Sequence, residues 1–261
     1  MPPTFPSNPF RDALGIEIEI PKRGACVALL PGLPASRDPS GGIAQGSLAT
    51  LCDIAMGHAI GGQLRADEPF ATVHLQIAFH RAAGDGPLQG EGDAPPLESG
   101  WKEAMATCRV RREDGGLVAT AQGYFARRPP GAARQPLPAA DRSAQPDLPA
   151  LLGLQGDDAA LRLAVGGALL NPDGVCHGGA LAAALDLAMR RALSARSAGR
   201  DIALRTLDVR YILPALPGDV TLAPGIDRKG RAIHFAHARA LGADERTLAA
   251  AVGIYGAGFP A

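Results

Sequence analysis

Two features of this 261-residue chain could do chemistry: a carboxylate set inside an apolar helix, and a pair of glycines that opens one. Both occur in Asn171 to Met189, NPDGVCHGGALAAALDLAM, which reads as a polar loop running into a buried helix. Gly178 and Gly179 let the backbone approach a ligand closely. The free N–H groups of the helix's first turn then point at whatever sits there, which is a way to polarise a carbonyl. Asp186, eight residues beyond Gly178, is surrounded in sequence by Ala, Leu and Met, where an unpartnered charge is costly. A glycine pair is also an ordinary helix N-terminus, so the motif alone does not decide the chemistry.

A second version of the stretch lies in the first half, Asp38 to Met56, DPSGGIAQGSLATLCDIAM. Superposing Asp53 on Asp186 sets an offset of 186 − 53 = 133, which places Gly46 on Gly179, Leu48 on Leu181, Ala55 on Ala188 and Met56 on Met189. Flanking segments correspond at nearby offsets. Leu14-Gly15 answers Leu152-Gly153, Leu75-x-Ile77-x-Phe79 answers Leu207-x-Val209-x-Tyr211, and Gly123-Tyr124-Phe125 answers Gly253-Ile254-Tyr255. Matches in the same order along both halves imply a duplication.

Each half reads as a strand or hairpin, one buried helix and a strand meander, an α+β pattern. In the first half, strands are expected within Leu14 to Leu30, then a helix over Gly46 to Leu64 that is apolar nearly all round and therefore enclosed. Further strands are expected over Thr72 to Phe79, Glu103 to Arg111 and Leu117 to Phe125. In the second half they are expected near Ala159 to Val165, Ala203 to Leu213, Ala232 to Ala240 and Thr247 to Gly256. A Pro-, Ala- and Arg-rich stretch without periodicity separates the halves, giving an N-terminal domain over 1–128, a linker over 129–148 and a C-terminal domain over 149–261.

With 26 basic and 26 acidic residues, scattered cations and 4% aromatics, nothing resembles a nucleic-acid footprint. Cys26, Cys52, Cys108 and Cys176 form no CxxC pair and no zinc spacing, and read as reduced thiols of an intracellular, cytoplasmic protein. The start MPPTFPSNPF lacks a basic segment followed by an apolar run, so neither a signal peptide nor a membrane span is expected. His234 and His237 fall on opposite faces of a strand and are not expected to share a metal.

The two stretches resemble the hotdog-fold acyl-CoA thioesterases, in the branch that includes bacterial phenylacetyl-CoA thioesterases. That branch carries an Asn, six residues later His-Gly-Gly, then an Asp on the helix and a Ser or Thr opening the next strand. Asn171, His177, Gly178, Gly179 and Asp186 fit in the second half; Asp53 and Thr72 fit in the first. Asp38, Ala44 and Gln45 depart from the pattern in the first half, as does Leu204 in the second. The resemblance implies a double hotdog, two long central helices each wrapped by an antiparallel β-sheet. It implies hydrolysis of an acyl-CoA without metal or cofactor, and a homodimer of the whole chain.

Within one helix Gly178 and Asp186 lie roughly 12 Å apart, too far to act on one carbonyl, so each site must combine two helices. Antiparallel packing pairs Asn171, His177 and Gly178 with Asp53 and Thr72 in one complete site. The second pairs Asp38, Ala44 and Gln45 with Asp186 and Leu204, a relic in which the Asp186 carboxylate is expected to lack partners. In the complete site the Gly178 N–H would hold the oxyanion, and Asp53 would act as general base or as nucleophile. Thr72 and Asn171 would position the water or the carboxylate, and His177 would brace the loop. Gly179 and the cations Arg127, Arg128, Arg228, Lys229 and Arg231 are candidates for holding the substrate. Two other readings remain: an acyl-CoA-binding or sensing protein without catalysis, and an enoyl-CoA hydratase-type hotdog enzyme.

Overall fold

The computed structural model describes residues 8–65, 68–129, 146–157, 160–195 and 202–259. The first half contains α1 (Pro9–Leu14), β1 (Glu17–Glu19), β2 (Ala25–Leu30), α2 (Gln45–Gly61), β3 (Phe70–Phe79), β4 (Leu88–Asp93), β5 (Glu103–Arg112) and β6 (Leu117–Arg127). The second repeats the order with α3 (Leu148–Leu152), β7 (Gln155–Gly156), β8 (Leu161–Val165), α4 (Gly178–Ser194), β9 (Ile202–Tyr211), β10 (Gly218–Lys229), β11 (Ile233–Leu241) and β12 (Thr247–Ala257). The expected linker falls largely outside the described residues; Leu148, its last residue, already opens α3.

The paired Leu-Gly motifs end helices and do not begin strands, which corrects the reading of Leu14 as strand. Asn8 caps α1 by accepting the Arg11 N–H at 3.2 Å, Pro9 sits in its first turn, and Gly15 closes it in the left-handed region at φ 71°. Asp147 and Gly153 do the same for α3, with a cap of 2.9 Å to Ala150 and φ 59°.

All the strands join one antiparallel sheet in the order β1-β2-β4-β5-β6-β3-β9-β12-β11-β10-β8-β7, which is a palindrome of the two halves. The halves meet at β3 and β9, where Gln76 pairs with Asp208. These two residues are themselves equivalent (208 − 76 = 132, the offset of the flanking motifs), so a pseudo-twofold axis passes between them. This is the double hotdog: α2 and α4 lie side by side, wrapped by their own half-sheets.

The helices touch through their smallest residues. A methyl group on Gly46 would lie 2.6 Å from the Ala183 Cβ, and one on Gly179 would lie 2.7 Å from the Thr50 Cα. Because 46 faces 183 while 50 faces 179, the helices run antiparallel, and the first turn of each meets the middle of the other. On the sheet side, a methyl on Gly92 of β4 would lie 2.3 Å from the Ala55 carbonyl oxygen. Enclosed by sheet and partner helix, α2 buries almost its whole length from Gly46 to Met56.

This spacing can be tested at its tightest point. Gly46→Ala should lower the unfolding free energy by about 1–3 kcal/mol, the usual cost of overpacking, because the backbone of α4 has to move. Urea denaturation measures it; unchanged stability would show that this contact does not set the helix separation.

Candidate active site at the helix crossing

The loop before α4 is held by its own backbone. Asn171 accepts the N–H groups of Asp173 and Val175 at 2.9 and 3.2 Å, while its N–H donates to the Val175 carbonyl. Asp38 builds the same turn in the first half: its N–H donates to the Gly42 carbonyl, and its carboxylate accepts the Ser40 N–H at 2.9 Å. Asn171 therefore shapes the loop, its side-chain oxygen accepting two of the loop's N–H groups. His177 is the N-cap of α4, its Nδ1 accepting the Gly179 N–H at 2.9 Å, which puts the ring proton on Nε2. Burial, with the nearby Arg11 guanidinium, lowers its pKa to about 4, so the ring is neutral near pH 7. The ring packs against Phe10 of α1, at 5.6 Å between centroids. An element of the first half thus supports the loop of the second.

Asp53 reaches this helix end from the middle of α2. Its Oδ1 accepts the Thr72 hydroxyl at 2.8 Å, and its Oδ2 lies 3.8 Å from His177 Nδ1. A methyl group on Gly178 would be only 2.9 Å from Oδ2, so a side chain there would displace the carboxylate from the helix terminus. Burial raises the Asp53 pKa to about 6 against the hydrogen bonds from Thr72 and the Gly179 N–H, which pull it down. The Gly178 N–H belongs to the first turn of α4, whose N–H groups have no acceptor within the helix. Tyr211, not anticipated from the sequence, donates its hydroxyl to the Gly178 carbonyl at 2.9 Å and thereby fixes the direction of that peptide. Its hydroxyl is kept protonated because burial, with the Asp53 charge nearby, pushes its pKa well above the usual value. The only sequence sign of Tyr211 was its alignment with Phe79.

Gly179 packs against Thr50 and donates its N–H to His177. Arg228, Lys229 and Arg231 are exposed at the wrong end of the sheet. Lys229 pairs with His234, His234 with Tyr255 and Tyr255 with Leu204, whereas the residue of β9 that touches Gly178 is Tyr211. Seven residues separate Leu204 from Tyr211, roughly 23 Å along a strand. The cations that do lie beside the site are Arg127, paired with Glu68 at 3.3 Å, and Arg128, paired with Asp173 of the loop at 3.0 Å.

The second constellation is closed by side chains. Gln45, standing where the other half has Gly178, donates to the Leu204 carbonyl at 2.7 Å and accepts the Leu204 N–H at 2.8 Å. Asp186 does have partners, contrary to expectation: the Tyr255 hydroxyl at 2.8 Å and Arg190, one turn along, at 3.4 Å. Arg190 also donates to Gln45 Oε1 and to the Ile202 carbonyl, each at 2.8 Å. The i, i+4 spacing of Asp186 and Arg190 was the available signal. Among the described residues no group of three or more His, Cys, Asp or Glu could hold a metal ion, and the four cysteines are buried and free.

Residues 41–119 match the thioesterase superfamily, and residues 170–256 match the acyl-CoA thioesterase N-terminal domain. One match falls on each half and each includes its central helix: the chain belongs to the hotdog-fold thioesterases. It is a thioester hydrolase carrying two hotdogs in one polypeptide. Solved structures agree in fold over nearly the full length. A TesB protein of Mycobacterium avium subsp. paratuberculosis superposes with a TM-score of 0.65 at 16% identity, covering 97% of this chain and 100% of its own. A candidate oleoyl thioesterase from Lactobacillus plantarum gives 0.65 at 13%, covering 90% and 96%. The 12:0-ACP thioesterase from Umbellularia californica gives 0.64 at 9%, covering 88% and 93%. No curated protein sequence matches the chain.

The partners of Asp186 reverse the expected sign of one substitution. A carboxylate without partners would make Asp186→Asn neutral or stabilising. With Arg190 largely buried beside it, Asp186→Asn should lower stability by about 1.5–3 kcal/mol, the worth of a charged hydrogen bond. Urea denaturation decides it, and a gain in stability would contradict the clamp.

Proposed function

We propose that this protein hydrolyses acyl-CoA thioesters to free acid and CoA at the composite site of Asp53 and Gly178. The observation that carries the reading is the approach of the Asp53 carboxylate to the first turn of α4, where a methyl group at 178 would lie 2.9 Å from Oδ2. The family match to an acyl-CoA thioesterase domain over 170–256 points the same way. The thioester oxygen accepts the Gly178 N–H, which stabilises the charge developing there. A water takes its place beside Asp53 Oδ2, gives its proton to the carboxylate and bonds to the carbonyl carbon. The tetrahedral intermediate collapses, the C–S bond breaks, and the proton held by Asp53 passes to the departing CoA thiolate. Thr72 holds Oδ1 and so orients Oδ2, His177 and Asn171 hold the loop, and Arg127 and Arg128 meet the CoA phosphates.

Among the described residues no helix is long and apolar enough to cross a membrane. A cytoplasmic homodimer is the assembly proposed. The outer sheet face supports it, since Phe235, Ile233 and Val252 are exposed there. Light scattering should give twice the chain mass.

The pKa shifts set the pH behaviour. A base whose pKa is near 6 gains its charge as pH rises, so kcat/KM should climb through about pH 6 and level off above it. Asp53→Asn should lower turnover by about 10²–10⁴-fold and remove that limb. Stability should move the other way. The carboxyl pKa is raised in the folded state, so its contribution is fully present below the unfolded value near 3.8 and is lost as pH rises through about 6. Asp53→Asn should therefore unfold at a higher temperature than the wild type at pH 7. His177, lowered to about 4, has the opposite sign: its contribution is present above 6.5 and is lost as pH falls through about 4. Free-thiol release from acyl-CoAs of graded length, followed for wild type, Asp53→Asn and Asp186→Asn, tests the assignment. Loss of turnover confined to Asp186→Asn would place the active site in the other pair.

A further inference from the structure

Both central helices are pinned at their first residue to strand β9, by opposite means. Gln45 opens α2, and its side chain reaches the strand, donating to the Leu204 carbonyl at 2.7 Å and accepting the Leu204 N–H at 2.8 Å. Gly178 opens α4 and has no side chain to reach with. There the strand supplies the bond, since the Tyr211 hydroxyl donates to the Gly178 carbonyl at 2.9 Å. Gln45 and Gly178 are equivalent (178 − 45 = 133, the offset of the helix pair), and Tyr211 is the counterpart of Phe79 (211 − 79 = 132), which has no hydroxyl to give.

The reversal follows from the site. A methyl group at 178 would lie 2.9 Å from Asp53 Oδ2 and 3.5 Å from Tyr211 Cζ, so the carboxylate and the ring both flank the place a side chain would take. A residue pinning this helix end from within, as Gln45 does, would push the carboxylate away. The bond is also needed more here, because Gly178 and Gly179 in succession give the backbone its widest choice of conformations. Donors stabilise a developing charge best when they need not reorient during the reaction. The peptide that joins the two glycines is held at both ends: its N–H donates to His177 Nδ1 at 2.9 Å, and its carbonyl accepts from Tyr211. A carbonyl oxygen has two lone pairs, so the tyrosine adds to the helix's own hydrogen bonding and does not replace it. Tyr211 pairs with Ala249 of β12, and its neighbour Arg210 pairs with His74 of β3, so the anchor is the middle of the sheet.

We propose that Tyr211 is a positioning residue of the hydrolase: its hydroxyl locks the first turn of α4 to the sheet and so keeps the Gly178 N–H aimed at the thioester oxygen, a role that rests on the Asp53–Gly178 reading of the site. The hydroxyl proton is engaged by the Gly178 carbonyl. Tyr211 therefore acts through the backbone and transfers no proton to the substrate.

The test is Tyr211→Phe in the full-length protein. It removes only the hydroxyl, and Phe79 shows that the fold accepts the bare ring at the equivalent position. Turnover is followed by thiol release from an acyl-CoA. Infrared difference spectra then read the C=O stretch of a bound acyl-CoA labelled at the thioester carbonyl, with Asp53→Asn present in both proteins so that the substrate persists. In Tyr211→Phe kcat should fall about tenfold with KM within about twofold, less than the roughly 10²–10³-fold cost of deleting an oxyanion donor itself. The stretch, lowered on binding by the Gly178 N–H, should move back toward that of free acyl-CoA when the hydroxyl is absent. A lower melting temperature with kcat and the stretch unchanged would make the hydroxyl merely structural and overturns the proposal. So does a rise in KM alone, which would make it a binding contact. Loss beyond about 10³-fold with an altered profile above neutral pH would make it a proton donor and overturns the proposal as well. Absence of thiol release by the wild type would overturn the hydrolase reading, and the stretch of bound acyl-CoA in wild type against Tyr211→Phe would then decide the role of the hydroxyl separately.

Discussion

The close antiparallel contact of α2 with α4 is the constraint on which the site depends. It requires small residues where the helices touch, Gly46 against Ala183 and Gly179 against Thr50. Its consequence is positional: each helix terminus arrives at the other helix's midpoint. A carboxylate and a set of N–H groups that are two turns apart on any one helix thereby come together. The carboxylate at that meeting point is buried, which raises its pKa, and the hydrogen bonds of Thr72 and Gly179 keep it from rising further. Packing and chemistry are the same arrangement seen at two scales.

On this shared scaffold a handful of differences separate the halves. Phe79 and Phe125 in the first correspond to Tyr211 and Tyr255 in the second, and each added hydroxyl is used. Tyr211 holds the peptide of Gly178, on the side of the complete site; Tyr255 ties up Asp186, on the closed side. Thr72 can donate to a carboxylate where Leu204 cannot, and Gln45 reaches across to the Leu204 backbone where Gly178 leaves space. The closed constellation is a well-bonded clamp, which explains how a carboxylate remains buried there.

The central helices, the long strands other than β10 and the pairing of Asp53 with Gly178 were legible because they rest on apolar patterning and a repeated motif. What was missed has a physical reason. Strands β4, LQGEGD, and β10, which carries Pro224 and Gly225, look like turns because glycine and proline are depleted from strands. In β4 the glycine is there because the backbone of α2 comes within a methyl's reach of Gly92. The single-turn helices α1 and α3 are too short to show a period. Apart from Arg190 on its own helix, the partner of Asp186 is Tyr255 of β12, and the two side chains meet only after the sheet has closed. The cations Arg228, Lys229 and Arg231 were misplaced because sequence does not say at which end of a strand a ligand enters.

The continuity of the sheet across β3 and β9 carries an evolutionary corollary. Were the halves identical subunits of a dimer, any residue placed on one helix would occur on both, so an arginine at the position of Gly57 would engage the Asp53 carboxylate as Arg190 engages Asp186. Covalent fusion lifts that symmetry. Arg190 can then brace its side of the protein while Gly57 leaves the other side unbraced, and each half can accumulate substitutions that its twin could not tolerate.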